Sequence, residues 1–168
     1  LHACSVGDLE LLESMIKEKP SLVETEEDEY GYNCLGISSF FGRAKIVQFL
    51  LQQQKLPHLL DRNGFSALHY ACFGVHLDVC TLLLDAGADP NFPARHKRTP
   101  LMLALVSSDL GHPAFCNSFN DSTSDIMALK HSVVDLLISR GALLSSADAF
   151  AFTPLSYAAI SDFDHFLL

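Results

Sequence analysis

A phrase of small and apolar residues returns at a fixed interval along this chain, and no other property narrows its possible folds so far. Asn33-Cys34-Leu35-Gly36-Ile37-Ser38 is followed by Ser66-Ala67-Leu68-His69-Tyr70-Ala71 and then by Thr99-Pro100-Leu101-Met102-Leu103-Ala104. Leu35, Leu68 and Leu101 stand 33 residues apart. A further copy, Thr153-Pro154-Leu155-Ser156-Tyr157-Ala158, begins 54 residues after Thr99, one period plus an insertion of 21. Repetition at this length describes supersecondary units that stack, because one such unit cannot bury its own apolar face.

The unit beginning at Asp61 is the best preserved. Asp61-Arg62-Asn63-Gly64 reads as a turn, with Asn-Gly its strongest signal. Ser66-Ala67 opens a helix through about Phe73, and Leu77, Val79, Leu82 and Leu83 lie at helical spacing on a second. That second helix should stop at Gly87, the residue best able to adopt the left-handed conformation beyond a helix end. In full, the unit resembles the ankyrin repeat pattern D-x-x-G-x-T-P-L-H-x-A … L-L-L-x-x-G-A-D-x-N. The resemblance implies an all-α solenoid of about five helix-turn-helix units with β-hairpin loops. The units span about 1–27, 28–60, 61–93, 94–147 and 148–168, the last one truncated.

The other units match in part. The first begins mid-pattern at Ala3-Cys4, with Leu11 and Met15 expected in the core. The second has Ile46, Phe49 and Leu50 as second-helix core and an irregular exit at Gln52–Pro57. The fourth has Thr99-Pro100-Leu101, resumes at Val133, Leu136 and Leu137, and is interrupted by an insertion at about 107–130. This polar, turn-rich stretch reads as a tolerated loop, or as a partner-specific arm with Phe115 and Phe119 as anchors. Ile126, Met127 and Leu129 should lengthen the following helix at its start.

Composition limits the alternatives. Apolar residues make up 49% of the chain, enough for a substantial core, yet no apolar run approaches the span of a bilayer. The N-terminus does not read as a signal peptide, and the lack of an initiating Met suggests a piece of a longer protein. A net charge of −9 argues against a nucleic-acid partner. Five cysteines without C-x-x-C spacing read as reduced, packed thiols in a cytoplasmic or nuclear protein.

Catalysis finds little support. His69 and Cys72 share a helix at i and i+3, but the resemblance gives His69 a structural role, hydrogen bonding across the repeat junction. His112 and Cys116 lie four apart with no second ligand pair nearby. No phosphate loop or nucleophile elbow is present, and no paired carboxylates flank a plausible cleft. The chain reads as a non-enzymatic domain with no cofactor and no metal.

The resemblance instead implies binding, through hairpin tips and the inner face of the first helices. Mapped residue by residue, the tips carry Tyr30 and Tyr32, then Arg62 and Phe65, then Arg95, His96 and Arg98, then Phe150 and Phe152. Phe40 and Phe73 follow the small pair of the first helices. Large aromatics in such places suit an interface, and the basic tip suits a protein or peptide partner that is apolar with an acidic element. The domain is expected to be monomeric in isolation. The alternative is a regulatory arm, contacting other parts of a larger enzyme, channel or transcription regulator.

Overall fold

A computed structural model describes residues 1–18, 33–54, 60–62, 64–106 and 123–160. Among these residues the chain is all-helical. Four helix pairs run in order: α1 (His2–Val6) with α2 (Leu9–Glu18), α3 (Cys34–Phe40) with α4 (Ala44–Gln54), α5 (Ala67–Phe73) with α6 (Leu77–Asp85), and α7 (Pro100–Val106) with α8 (Thr123–Ser139). A ninth helix, α9 (Pro154–Ile160), follows. Helices α3, α5, α7 and α9 are each seven residues long, and their first residues repeat the 33, 33 and 54 spacing of the sequence.

A seven-residue helix is too short to persist alone, because nucleation costs more than so few hydrogen bonds return. These helices exist through packing. α1, α3, α5, α7 and α9 contact one another in that order, forming one row, while α4, α6 and α8 form a second row behind it. Leu35, Leu68 and Leu101 are buried between successive helices, each contributing about 2 kcal/mol of hydrophobic stabilisation. α7 lies between α5 and α9 and is backed by α8, so Pro100 to Leu105 are buried all round. Leu155 occupies the same place in the phrase, yet it is exposed, since no described helix covers the far side of α9.

Helix boundaries follow local chemistry. Pro100 and Pro154 open α7 and α9, where a missing N–H is harmless and φ is already helical. α6 ends as expected, with Gly87 at φ 95°, and α8 ends alike, with Gly141 at φ 89°. The amides of Ala88 and Ala142 then donate back to Leu83 O and Leu137 O, both at 2.9 Å. α8 begins at Thr123, so the stretch from Ile126 to Lys130 belongs to a lengthened second helix. The remainder of the insertion, 107–122, with Phe115, Phe119, His112 and Cys116, lies outside the described residues.

In α2 the structure corrects the expected core. Leu11 is 43% exposed and Met15 only half-buried, whereas Leu12 is 4% exposed. The buried stripe is Leu9, Leu12 and Ile16, at i, i+3 and i+7. Leu11 and Met15 belong to the neighbouring stripe, one residue out of phase. No described helix is long and apolar enough to cross a membrane.

Candidate partner-binding surface

Three hairpin tips are closed by one hydrogen bond repeated in register. Asp61 N–H donates to Phe65 O at 3.0 Å, Ala94 N–H to Arg98 O at 2.8 Å, and Asp148 N–H to Phe152 O at 2.9 Å. Two tips are tightened further by a carboxylate. Asp61 accepts from Phe65 N–H and from the Tyr70 hydroxyl. Asp148 accepts from Phe150 N–H at 2.8 Å, Phe152 N–H at 2.9 Å and the Tyr157 hydroxyl at 2.7 Å. Ala94 and Leu103 replace this pair in the middle tip, and both are buried. That tip is braced from outside instead. Ala149 N–H donates to His96 O at 2.8 Å, and the His96 and Phe150 rings lie 5.5 Å apart.

Successive pairs are joined by imidazoles, His69 buried and His76 half-buried. His69 Nδ1 accepts from the Ser66 hydroxyl at 2.8 Å and the Ser66 amide at 3.2 Å. Its Nε2 therefore carries the proton and donates to Arg98 O, 3.2 Å away in the next hairpin. Burial pushes the His69 pKa down to about 4. His76 works in the opposite direction along the chain, with Nε2–H donating to Phe40 O at 2.9 Å. Burial lowers its pKa as well. Asn91 adds a third bridge, donating from Nδ2 to Gly141 O at 2.8 Å and accepting from Leu143 N–H at 2.7 Å.

Residues 1–94 and 57–126 match the family described as ankyrin repeats in three copies. The chain belongs to the ankyrin repeat family. Human ankyrin repeat and SOCS box protein 3 is 26% identical, over 94% of this chain and 33% of its own length. The transient receptor potential cation channel subfamily A member 1 homolog of Caenorhabditis elegans is 28% identical, over 94% of this chain and 14% of its own. Human ankyrin repeat domain-containing protein 53 is 31% identical over 62% of this chain and 20% of its own length. The chain thus spans about a third or less of these curated relatives. Ankyrin repeats are in general protein-interaction modules, and the matching family is not an enzymatic one.

Within this ankyrin framework the expected partner-binding residues fall into distinct settings. Tyr30 and Tyr32 lie outside the described residues. Phe40 and Phe73 occupy one position of the repeat on α3 and α5, are half-buried, and have ring centroids 6.1 Å apart. Phe40 also meets Phe41 edge-on at 5.2 Å. Arg62, Arg95 and His96 are exposed on the tips. Phe65 is half-buried, with its ring 5.7 Å from His69 and 5.8 Å from Tyr70. Arg98 stands at the same position as Phe65 and is half-buried, with Nε lacking an acceptor among the described residues and with its charge acting on Asp148 and Tyr157. Phe150 and Phe152 are 60% and 42% exposed.

Sequence reasoning gave no role to His76 or to the Asp–Tyr tip brace. The brace did leave a signal, since Asp61 and Tyr70 and, 87 residues later, Asp148 and Tyr157 are both nine apart. His76 left none, as its partner is a backbone carbonyl 36 residues away.

The thiols at the centre of the stack are packed rather than poised, while at its start the hydrogen bond with Cys34 lowers the pKa of the buried Cys4 thiol to about 7. Cys72 and Cys80 are fully buried with sulfurs 3.8 Å apart, and burial raises the Cys72 thiol well above its usual range. His69 points away from chemistry and into the repeat junction. Among the described residues no cluster of three or more His, Cys, Asp or Glu side chains is arranged to hold a metal.

Proposed function

We propose that this chain is a non-enzymatic protein–protein interaction domain, an ankyrin solenoid of about five units with an insertion in the fourth. It binds a peptide or folded protein along the concave face and hairpin tips, the partner being apolar with an acidic element. The observation that carries this reading is the pair Phe40 and Phe73. Two large aromatics at one repeat position sit side by side on adjacent first helices and keep part of each ring exposed. Such anchors commonly dominate interface energy. The exposed tips of Arg62, Arg95 and His96 continue the surface, with Phe150 and Phe152 at its far end. Buried thiols favour a cytoplasmic or nuclear setting. The domain acts as a monomer, and its net negative charge opposes nucleic-acid partners.

The test compares proteins captured by the wild-type chain and by Phe40→Ala and Phe73→Ala, with melting temperatures measured in parallel. Specific capture should fall at least about tenfold in the variants while the fold is retained. Undiminished capture by both folded variants refutes the inner-face assignment. A second reading is a regulatory arm whose main contacts are intramolecular. Its support is that the relatives are three or more times longer than the segment matched here.

A further inference from the structure

The first two units meet through a pair of thiols. Cys4 on α1 and Cys34 on α3 are 0% and 2% exposed and belong to one core cluster with Ala3, Leu12 and Leu35. The Cys34 S–H donates to the Cys4 sulfur, which favours the charged form of Cys4 and brings its pKa to about 7 against the opposing effect of burial. A thiol of that kind combines an appreciable thiolate fraction with good nucleophilicity at neutral pH. Its hydrogen-bonded neighbour is a second thiol, able to capture whatever the first becomes.

The same chain supplies a comparison. Cys4 and Cys72 share one position of the repeat, in Ala3-Cys4 and Ala71-Cys72. Cys72 faces Cys80 at 3.8 Å, but both lie inside a single unit, between α3 and α7 in one row and α4 and α8 in the other. Burial there raises the Cys72 thiol well above its usual range. Cys4 is held differently. α1 has five residues, packs on α2 and α3, and is too short to persist alone. Its C-terminal end is tied to the second unit by an exposed bond, from Arg43 Nε–H to Ser5 O at 2.9 Å. So lightly held an element opens locally at low cost, which admits a small solute to a sulfur covered in the closed state.

We propose that Cys4 and Cys34 are a peroxide-responsive dithiol that closes to a disulfide and clamps the first helix pair onto the second. The Cys4 thiolate attacks one oxygen of hydrogen peroxide and breaks the O–O bond. Hydroxide leaves, takes up a proton to become water, and Cys4 becomes a sulfenic acid. The Cys34 sulfur then attacks the Cys4 sulfur, and the hydroxyl departs with the Cys34 proton as a second water. The two thiols lose two electrons and the peroxide gains them. Excess thiol, glutathione for example, reverses the bond by exchange. The bonded sulfurs stand about 2.05 Å apart, which a small shift of α1 toward α3 supplies. Residues 30 apart in the chain are then joined covalently, and the first pair can no longer open away from the second. Neither cysteine belongs to the proposed partner surface, so the two readings stand or fall separately.

The whole chain is reduced, freed of reductant and treated with hydrogen peroxide at neutral pH. N-ethylmaleimide then traps the remaining thiols before tryptic peptide mass spectrometry. The expected first product is the Cys4 peptide joined to the Cys34 peptide, short of two hydrogens and separated again by dithiothreitol. It should form at least about tenfold faster than a bond between Cys72 and Cys80. In Cys34→Ser, which lacks the second thiol, a dimedone adduct of the sulfenic acid should accumulate on Cys4. Circular dichroism checks the fold of that variant; should it unfold, the wild-type product decides alone. In the oxidised wild type, hydrogen exchange at the α1 and α2 amides should slow at least about tenfold. Equal rates at the two thiol pairs, a bond from Cys4 to Cys116 in place of Cys34, or Cys4 recovered unoxidised each overturn the proposal. A Cys4–Cys34 disulfide that leaves exchange in α1 and α2 unchanged overturns the clamp.

Discussion

Gly74→Ala isolates the packing of one repeat junction from backbone strain. Gly74 has φ −78° and ψ −4°, which alanine adopts freely. Restricting the unfolded chain should by itself stabilise the protein by about 0.4–1 kcal/mol. The native surroundings oppose this. A Cβ at Gly74 would lie 2.6 Å from His76 Cδ2, 2.8 Å from His76 Nε2 and 2.7 Å from Phe40 O. Two of these contacts are with the imidazole and one is with backbone, so neither moves without disturbing the 2.9 Å bond between His76 and Phe40. Overpacking costs about 1–3 kcal/mol, and a buried carbonyl deprived of its donor about 1–3 kcal/mol more. The expected net destabilisation is about 2–4 kcal/mol, or a fall in melting temperature of roughly 5–15 °C for a chain of this size. Urea denaturation followed by circular dichroism measures it. His76→Ala alone and the double variant complete a cycle, in which removing the ring should relieve at least about 1 kcal/mol of the Gly74→Ala cost. A Gly74→Ala protein as stable as wild type, or costs that simply add, would refute this account of the junction.

Three further outcomes are expected. His69 has a folded pKa of about 4 against an ordinary value near 6.5, so the unfolded chain binds the proton more readily. Its stability contribution is complete above pH 6.5 and falls by about 3 kcal/mol as pH drops through 4; denaturation midpoints from pH 7 to 4 should decline less steeply in His69→Gln. Ser39 is fully buried and its hydroxyl has no partner among the described residues, so Ser39→Ala should stabilise by about 1 kcal/mol, and a less stable variant would show the hydroxyl to be engaged. Asp148→Ala removes three hydrogen bonds at its tip, and hydrogen exchange at the Phe150 and Phe152 amides should accelerate at least about tenfold, a change that unaltered exchange would rule out.

The 33-residue period, the helix starts at Ala67 and Pro100, the stop at Gly87 and the structural part played by His69 were all legible in the sequence. The helix starts and the stop depend on residues close together in the chain, through turn chemistry, capping or helical spacing, whereas the part played by His69 followed from the resemblance to the family. The identity of the buried stripe in α2 was not, because Leu9, Leu11, Leu12, Met15 and Ile16 offer two adjacent apolar stripes. Only the position of the neighbouring pair decides between them. Phe65 and Arg98 show the same limit at the surface. They share one repeat position, yet one packs beside His69 and Tyr70 while the other acts on Asp148 and Tyr157. The bond from His76 to Phe40 O, the brace on the Arg95–Lys97 turn and the thiol contact between Cys4 and Cys34 likewise join residues from different units. Local sequence determined what each unit is. How one unit meets the next, and therefore which side chains remain free to touch a partner, was decided by stacking, since burial depends on the surface a neighbour supplies.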